Sequence, residues 1–213
     1  MSLKLINNKK VSFRDNKILD RYKKNLNNIF SWMQVLNLKN PVILDVGANI
    51  GMYSICYSKL FFNSTIYSFE PVQKNYKVLL SNIKRNKIKN ISANNFGFLD
   101  KKKILKIGIP DSKIHSRYKK DLNDGLFSIF AKKKNINIKA FTLDDFNKKK
   151  KLDKIDFIKI DVEGAEALVL KGAKKTIKKF SPIIQLEFNE LTKILGNEEI
   201  SYFREFAKKF NYK

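Results

Sequence analysis

Between residues 42 and 96 the chain repeats one unit: a short strand, a turn and a helix. Residues 42–46 are apolar up to Asp45, the pattern of a strand covered on both faces in the middle of a parallel sheet. Gly47-Ala48-Asn49-Ile50-Gly51 forms a turn, and a helix is predicted from residue 52 to about 61. Residues 65–69 read as a second strand closed by Glu70-Pro71, with Pro71 suited to the first turn of the next helix. That helix reaches about residue 85 with Tyr76, Leu79, Leu80 and Ile83 along one side, and a third strand lies near residues 90–96. Strand–helix–strand units in series require parallel strands joined by right-handed crossovers. The expected fold class is therefore α/β, a doubly wound sheet with the first two strands side by side.

The same pattern returns at residues 157–160, a clean strand running into Asp161-Val162-Glu163-Gly164. A helix over 165 to about 178 follows, with Ala165, Leu168, Val169 and Ala173 available for burial. A strand at 182–187 and a helix from 198 to about 210 end the chain. Residues 97–154 are less regular. They hold a strand at 103–109, a polar loop at 110–125, a strand within 128–140, and a Thr142 cap opening a short helix. This insertion is the expected substrate-facing flap, since loops carry specificity on such scaffolds. Residues 1–40 form a basic lead-in in which Ile29, Phe30, Trp32, Met33, Leu36 and Leu38 make the apolar stripe of a helix covering the sheet. The reading is thus a lead-in, 1–40, and one domain, 41–213.

A chain of 213 residues, 43% of them hydrophobic, can bury one sizeable core. No apolar run approaches the length of a transmembrane helix, and the first residues do not resemble a signal peptide. The single cysteine, Cys56, cannot pair within the chain and fits a reducing compartment, so a cytoplasmic protein is expected. The net charge is +24. Such a field suits nucleic acid, acidic glycans or an anionic membrane. The lysines are nevertheless scattered along the chain, as a composition bias would leave them.

Ligands of open α/β sheets bind beyond the carboxyl ends of the strands. Three features converge there: Asp45 with Gly47, Asn49 and Gly51; Glu70, an acid placed to accept from both hydroxyls of a ribose; and Asp161 across the central gap. Neither the Gly-x-Gly-x-x-Gly fingerprint nor the Gly-Lys-Ser/Thr ending of a phosphate loop is present. A nucleoside with a charged amino-acid tail fits better than a pyrophosphate. Asp45 is expected near the cationic part of that tail. The plainer alternative is that Asp45 and Glu70 only cap their turn and helix.

Several segments resemble the FkbM family of methyltransferases: LDVGANIG at 44–51, FEP at 69–71 with Asn75, TLDDF at 142–146, KIDVEGAEALVLKGA at 159–173, and SPIIQLEFN at 181–189. The resemblance covers most of residues 41–190. It implies a class I methyltransferase fold, a Rossmann-like three-layer sandwich with S-adenosyl-L-methionine as cofactor. By that likeness Asp45, Gly47, Asn49 and Gly51 shape the methionine part of the site, Glu70 holds the ribose, and Asn95 and Phe96 lie by the adenine. The family's usual acceptors are hydroxyl oxygens of sugars, polysaccharides or natural products. This sequence departs from the class in having no room after residue 210 for strands six and seven. A five-stranded sheet is expected, lacking the closing hairpin, and three accounts are open: a short natural variant, a truncated chain, or an edge covered by a second copy.

For the chemistry, Asp161, Glu163 and Glu187 are the candidate catalytic residues, because they follow core strands that point at the site. Glu163 can alternatively begin the helix, with Glu166 one turn on. Lys159 faces a loop or the layer covering the sheet. His115, the one histidine, sits in the unassigned loop. Asp161, Glu187 and Asn189 offer oxygen ligands for Mg²⁺, but the spacing is not diagnostic and no metal is expected. An RNA methyltransferase is the rival suggested by charge, although no RNA-binding module, Asn-Pro-Pro-Tyr motif or catalytic cysteine is present. A non-catalytic remnant of the fold is the other.

Overall fold

The computed structural model describes residues 2–4, 10–12, 33, 35–109, 127–187 and 200–212. Ile29, Phe30, Trp32, His115, Asn189 and the whole of the expected loop 110–125 lie outside the described residues.

The central sheet has five parallel strands: β3 (Val42–Val46), β4 (Thr65–Phe69), β5 (Ile91–Asn94), β9 (Phe157–Ile160) and β10 (Ile183–Leu186), in the order β10-β9-β3-β4-β5. β3 sits in the middle, Asp45 facing Ser68 of β4 on one side and Lys159 of β9 on the other. Its four last residues and all of β9 are buried, whereas the edge strands β5 and β10 are half-exposed. This gradient explains why β3 and β9 were so legible: a strand covered on both faces must be apolar at nearly every position. Among the described residues β10 pairs only with β9.

The crossovers are α1 (Met52–Leu60), α2 (Gln73–Arg85), and the pair α4 (Glu166–Lys171) and α5 (Lys174–Phe180); α6 (Ile200–Lys209) follows β10. The single helix expected over 165–178 is broken at Gly172-Ala173. Gly172 packs so closely on the Leu99 carbonyl that a Cβ would lie 2.1 Å from it. Helix α2 starts at Gln73, so Pro71 stands outside it, and the stripe it buries is not the expected one. Leu79 is buried, but its companions are Asn75, Asn82 and Asn86, while Leu80 is 43% exposed. Two of those asparagines serve backbone: Asn82 Nδ2 donates to the Ile50 carbonyl at 2.9 Å and Asn86 Nδ2 to Asn82 O at 2.8 Å.

Residues 97–154 are more regular than expected. β6 (Gly97–Phe98), β7 (Lys103–Ile107) and β8 (Ile136–Phe141) form a second sheet, and α3 (Leu143–Lys150) leads back to β9. Thr142 Oγ1 accepts from the Asp145 amide at 2.9 Å, the expected cap. The insertion is fastened by aromatic packing: the Phe69 ring lies 4.5 Å from Phe98 and 5.0 Å from Phe146, ring centre to ring centre. The lead-in also differs from the all-helical expectation. β1 (Ser2–Lys4) and β2 (Lys10–Ser12) make an antiparallel ribbon, tied to the end of α2 by paired bonds between Ser12 backbone and the Asn86 amide. Met33 is fully buried against the sheet layer containing Ile43 and Phe157. No helix among the described residues is long and apolar enough to cross a membrane.

Candidate active site

All five carboxyl ends of the central strands lie at one end of the molecule, and the acids singled out in the sequence collect there. The β3 turn is built on two left-handed glycines, Gly47 at φ 83° and Gly51 at φ 86°. A Cβ on Gly47 would lie 1.8 Å from the Asp161 carbonyl oxygen. Glycine is therefore required by the approach of β9 to the turn, before any ligand is considered. Asn49 also adopts a left-handed conformation, at φ 49°, which turns its amide toward Glu70.

Glu70 is buried at the end of β4. Its Oε2 accepts from the Asn49 amide and its Oε1 from the Val72 amide, both at 2.8 Å. Burial lifts its pKa to about 7, against the lowering effect of those two bonds. Each carboxyl oxygen keeps a second lone pair for a hydroxyl donor. Next to it, Asn49 Oδ1 is buried with no hydrogen-bond partner among the described residues. A buried acceptor left in that state is costly unless something completes it. Asn95 buttresses the same corner, its Nδ2 donating to the Glu70 carbonyl at 2.9 Å and to Pro71 O at 3.2 Å. The Phe96 ring packs 4.9 Å from Phe141 and 5.4 Å from Phe69, within the aromatic cluster.

Asp45, expected near the cationic part of a cofactor tail, has no exposed carboxyl surface and is held by the protein's own groups. Oδ2 accepts from Ser54 Oγ, which is 2.6 Å from Ser68 Oγ, and the positive charge near Oδ1 is the protein's own Lys159 ammonium at 3.7 Å. Burial raises the Asp45 pKa, and Lys159 and Ser54 act against that rise.

Lys159 is the residue whose role was missed. It is 3% exposed on β9, between β3 and β10. Its Nζ donates to Asp161 Oδ2 at 2.9 Å and lies 4.5 Å from the centre of the Tyr53 ring. Asp45 and Asp161 thus share one buried cation. The signal available in the sequence was a lysine inside an otherwise apolar core strand, which must be paired to be buried.

Asp161, Glu163 and Glu187 come together, one carboxyl oxygen from each lying within 4.8 Å of the others. Burial would raise the Asp161 pKa, but the Lys159 ammonium and the bond with Glu187 pull it down. The Glu187 carboxyl moves the other way, raised by burial and by its bond to Asp161. Glu163 is lifted to about 8 by burial and by the Asp161 and Glu166 charges. It does not begin a helix; it stands in the left-handed region at φ 54°, with its carbonyl held by Ser128 Oγ at 2.8 Å. Glu166, expected on the same helix face, instead turns back to accept from the Val162 amide at 2.9 Å. Three carboxylates at this spacing can also serve a hard divalent cation, but here Lys159 already brings positive charge to Asp161 Oδ2.

Comparison with known proteins agrees with this geometry. The chain is 28% identical to Methyltransferase sdnD of Sordaria araneosa in an alignment that covers 62% of this chain and 60% of that protein. It is 25% identical to the 2-O-methyltransferase NoeI of Sinorhizobium fredii (strain NBRC 101917 / NGR234) in an alignment that covers 69% of this chain and 63% of that one. The matched segment thus spans less than two thirds of either relative. The crystal structure of Methyltransferase FkbM from Methylobacillus flagellatus KT superposes with a TM-score of 0.55 at 17% identity, covering 80% of this chain and 38% of that one. The shared architecture is the class I Rossmann-like fold. Residues 45–213 match the family described as the Methyltransferase FkbM domain, and the chain belongs to that family.

Proposed function

We propose that the chain is an S-adenosyl-L-methionine-dependent methyltransferase acting on a hydroxyl of a sugar, polysaccharide or small metabolite. The observation that carries this reading is the corner beside the β3 turn where Glu70 accepts from the Asn49 backbone amide, with Asn49 Oδ1 left unpartnered among the described residues. That corner suits a nucleoside: two acceptors for ribose hydroxyls and no cationic loop for a pyrophosphate. Gly47, Gly51 and Asn95 shape it, Phe96 borders it, and Asp45 acts through Lys159. The cofactor supplies a methyl group already activated on a sulfonium, so the chain's own residues need only align the acceptor, exclude water and take a proton.

The acceptor half is formed by Asp161, Glu163 and Glu187. Asp161 is held ionised by Lys159, and Glu187, protonated at neutral pH, donates to it. Glu163 then serves as general base for the acceptor hydroxyl, since its pKa of about 8 lies near working pH. No metal enters this scheme. The relative named as a 2-O-methyltransferase supports a hydroxyl acceptor.

The test is transfer of labelled methyl to a panel of hydroxylated glycans and metabolites as a function of pH. Transfer is expected to rise with one ionisation near pH 8, and Glu163→Gln to lose about 10²–10⁴ of the rate together with that ionisation. An unchanged pH profile in Glu163→Gln would remove Glu163 as the base.

A further inference from the structure

The +24 charge looks scattered along the sequence, but part of it gathers at one end of the fold. In a parallel sheet with right-handed crossovers, every crossover helix runs back from the carboxyl ends of the strands to their amino ends. The carboxyl terminus of each such helix therefore lies at the end of the molecule opposite the candidate active site. Helices α1, α2, α3 and α5 each lead into the amino end of a central strand, and α6 joins them, since Tyr212 just beyond it bonds the Pro182 carbonyl at the start of β10. All five carry lysine or arginine in the last turn, from Lys59 on α1 to Lys208 and Lys209 on α6. The connecting loops add Lys87, Lys89, Lys151 and Lys154. Among the described residues the acids in those loops are Asp153 and Asp156, and Asp156 is paired with Lys154 at 3.1 Å. The opposite end holds Asp45, Glu70, Asp161, Glu163, Glu166 and Glu187. Among the described residues, the helix ends and loops opposite the candidate active site form a basic pole.

Lysine at helix carboxyl termini favours the helix dipole, so position alone explains part of this. It does not explain two apolar side chains in the same place. Val35, on the approach to β3, and Phe62, in the turn between α1 and β4, are each 82% exposed, the most exposed large hydrophobic residues among those described. We propose that the basic pole is a docking surface for a membrane bearing anionic lipids, with Phe62 and Val35 entering the interfacial layer and the candidate active site turned away from it. A broad plate of lysines with protruding apolar tips matches a charged lipid interface. A nucleic acid would call for a groove-entering element or a row of stacking rings, and the described pole presents helix ends. This inference stands apart from the methyl-transfer reading.

Flotation of the full chain with phosphatidylcholine vesicles, with and without about 30% phosphatidylserine, tests it. The chain is expected to float only with the anionic vesicles and to release in high salt. Replacing Lys84, Arg85, Lys148, Lys149, Lys178 and Lys208 by Gln should weaken vesicle partition by about tenfold or more. A control with the same charge change on the second sheet and its flanking turn, at Lys101, Lys106, Lys132, Lys133, Lys134 and Lys139, should stay within about twofold of wild type. Phe62→Ser, which changes no charge, should weaken partition about threefold or more. Absence of flotation, equal loss in the control, or binding of a single-stranded RNA with no vesicle binding would each overturn the proposal.

Discussion

Glu70 and Glu187 are both acids just past the carboxyl ends of parallel strands, yet their surroundings differ in kind. Glu70 is satisfied by backbone: two amides from the turns on either side of it hold its two oxygens. Glu187 is satisfied by another acid, Asp161, which is in turn held by Lys159. The first corner is a preformed cradle whose donors come from fixed turns. The second is a proton-sharing cluster whose geometry depends on which carboxyl carries the proton. Changes at the first should alter binding, and changes at the second should alter pH dependence. Lys159 couples the two, because its ammonium serves Asp45 on one side and Asp161 on the other.

The largest effect should come from removing that coupling. Lys159→Met leaves two carboxylates without their cation and should cost about 3–5 kcal/mol in chemical denaturation. A loss under about 1 kcal/mol would mean that the two halves are not linked through Lys159. Next, Glu70→Ala removes the acceptors proposed for the ribose and should weaken cofactor binding by about tenfold to a hundredfold, since hydrogen bonds to charged groups contribute about 1.5–3 kcal/mol. The pH dependence of stability should be smaller. Glu70, Glu163 and Glu187 are all held above the usual carboxylate range, so folding favours their protonated forms. Their contribution is complete below that range and is lost as pH rises through the raised values; Asp161, held low, acts oppositely and is lost only in acid. The melting temperature of the ligand-free protein should therefore fall between about pH 6 and about pH 9, and Glu187→Gln should flatten the upper part of that fall. The smallest effect expected is none: a chelator should leave methyl transfer unchanged. Loss restored by Mg²⁺ would turn the Asp161, Glu163 and Glu187 cluster into a cation site.

The sequence was most legible where one physical demand dominated. Strands β3, β4 and β9 were placed to the residue because buried parallel strands are mostly apolar, and Gly47 and Gly51 marked a turn with left-handed backbone. It was least legible where a polar side chain serves its own backbone. Asn75, Asn82 and Asn86 stood outside the apolar stripe expected of this segment but are buried by the bonds they make or the packing they meet. Lys159 read as a contact to a loop or to the covering layer and is instead a buried counter-ion. Asp45 read as a ligand for a cation from outside, because sequence order cannot show that β9 supplies one from within. The broken helix at Gly172 follows from contact with Leu99, more than seventy residues earlier, which no local pattern carries.

The most direct test of the two-halved site is isothermal titration of the folded protein with S-adenosyl-L-methionine, in parallel for wild type, Glu70→Ala and Glu163→Gln. Wild type and Glu163→Gln are predicted to bind alike, with Glu70→Ala weaker by about tenfold or more. No heat of binding from folded wild type, or equal weakening in both variants, would contradict the account.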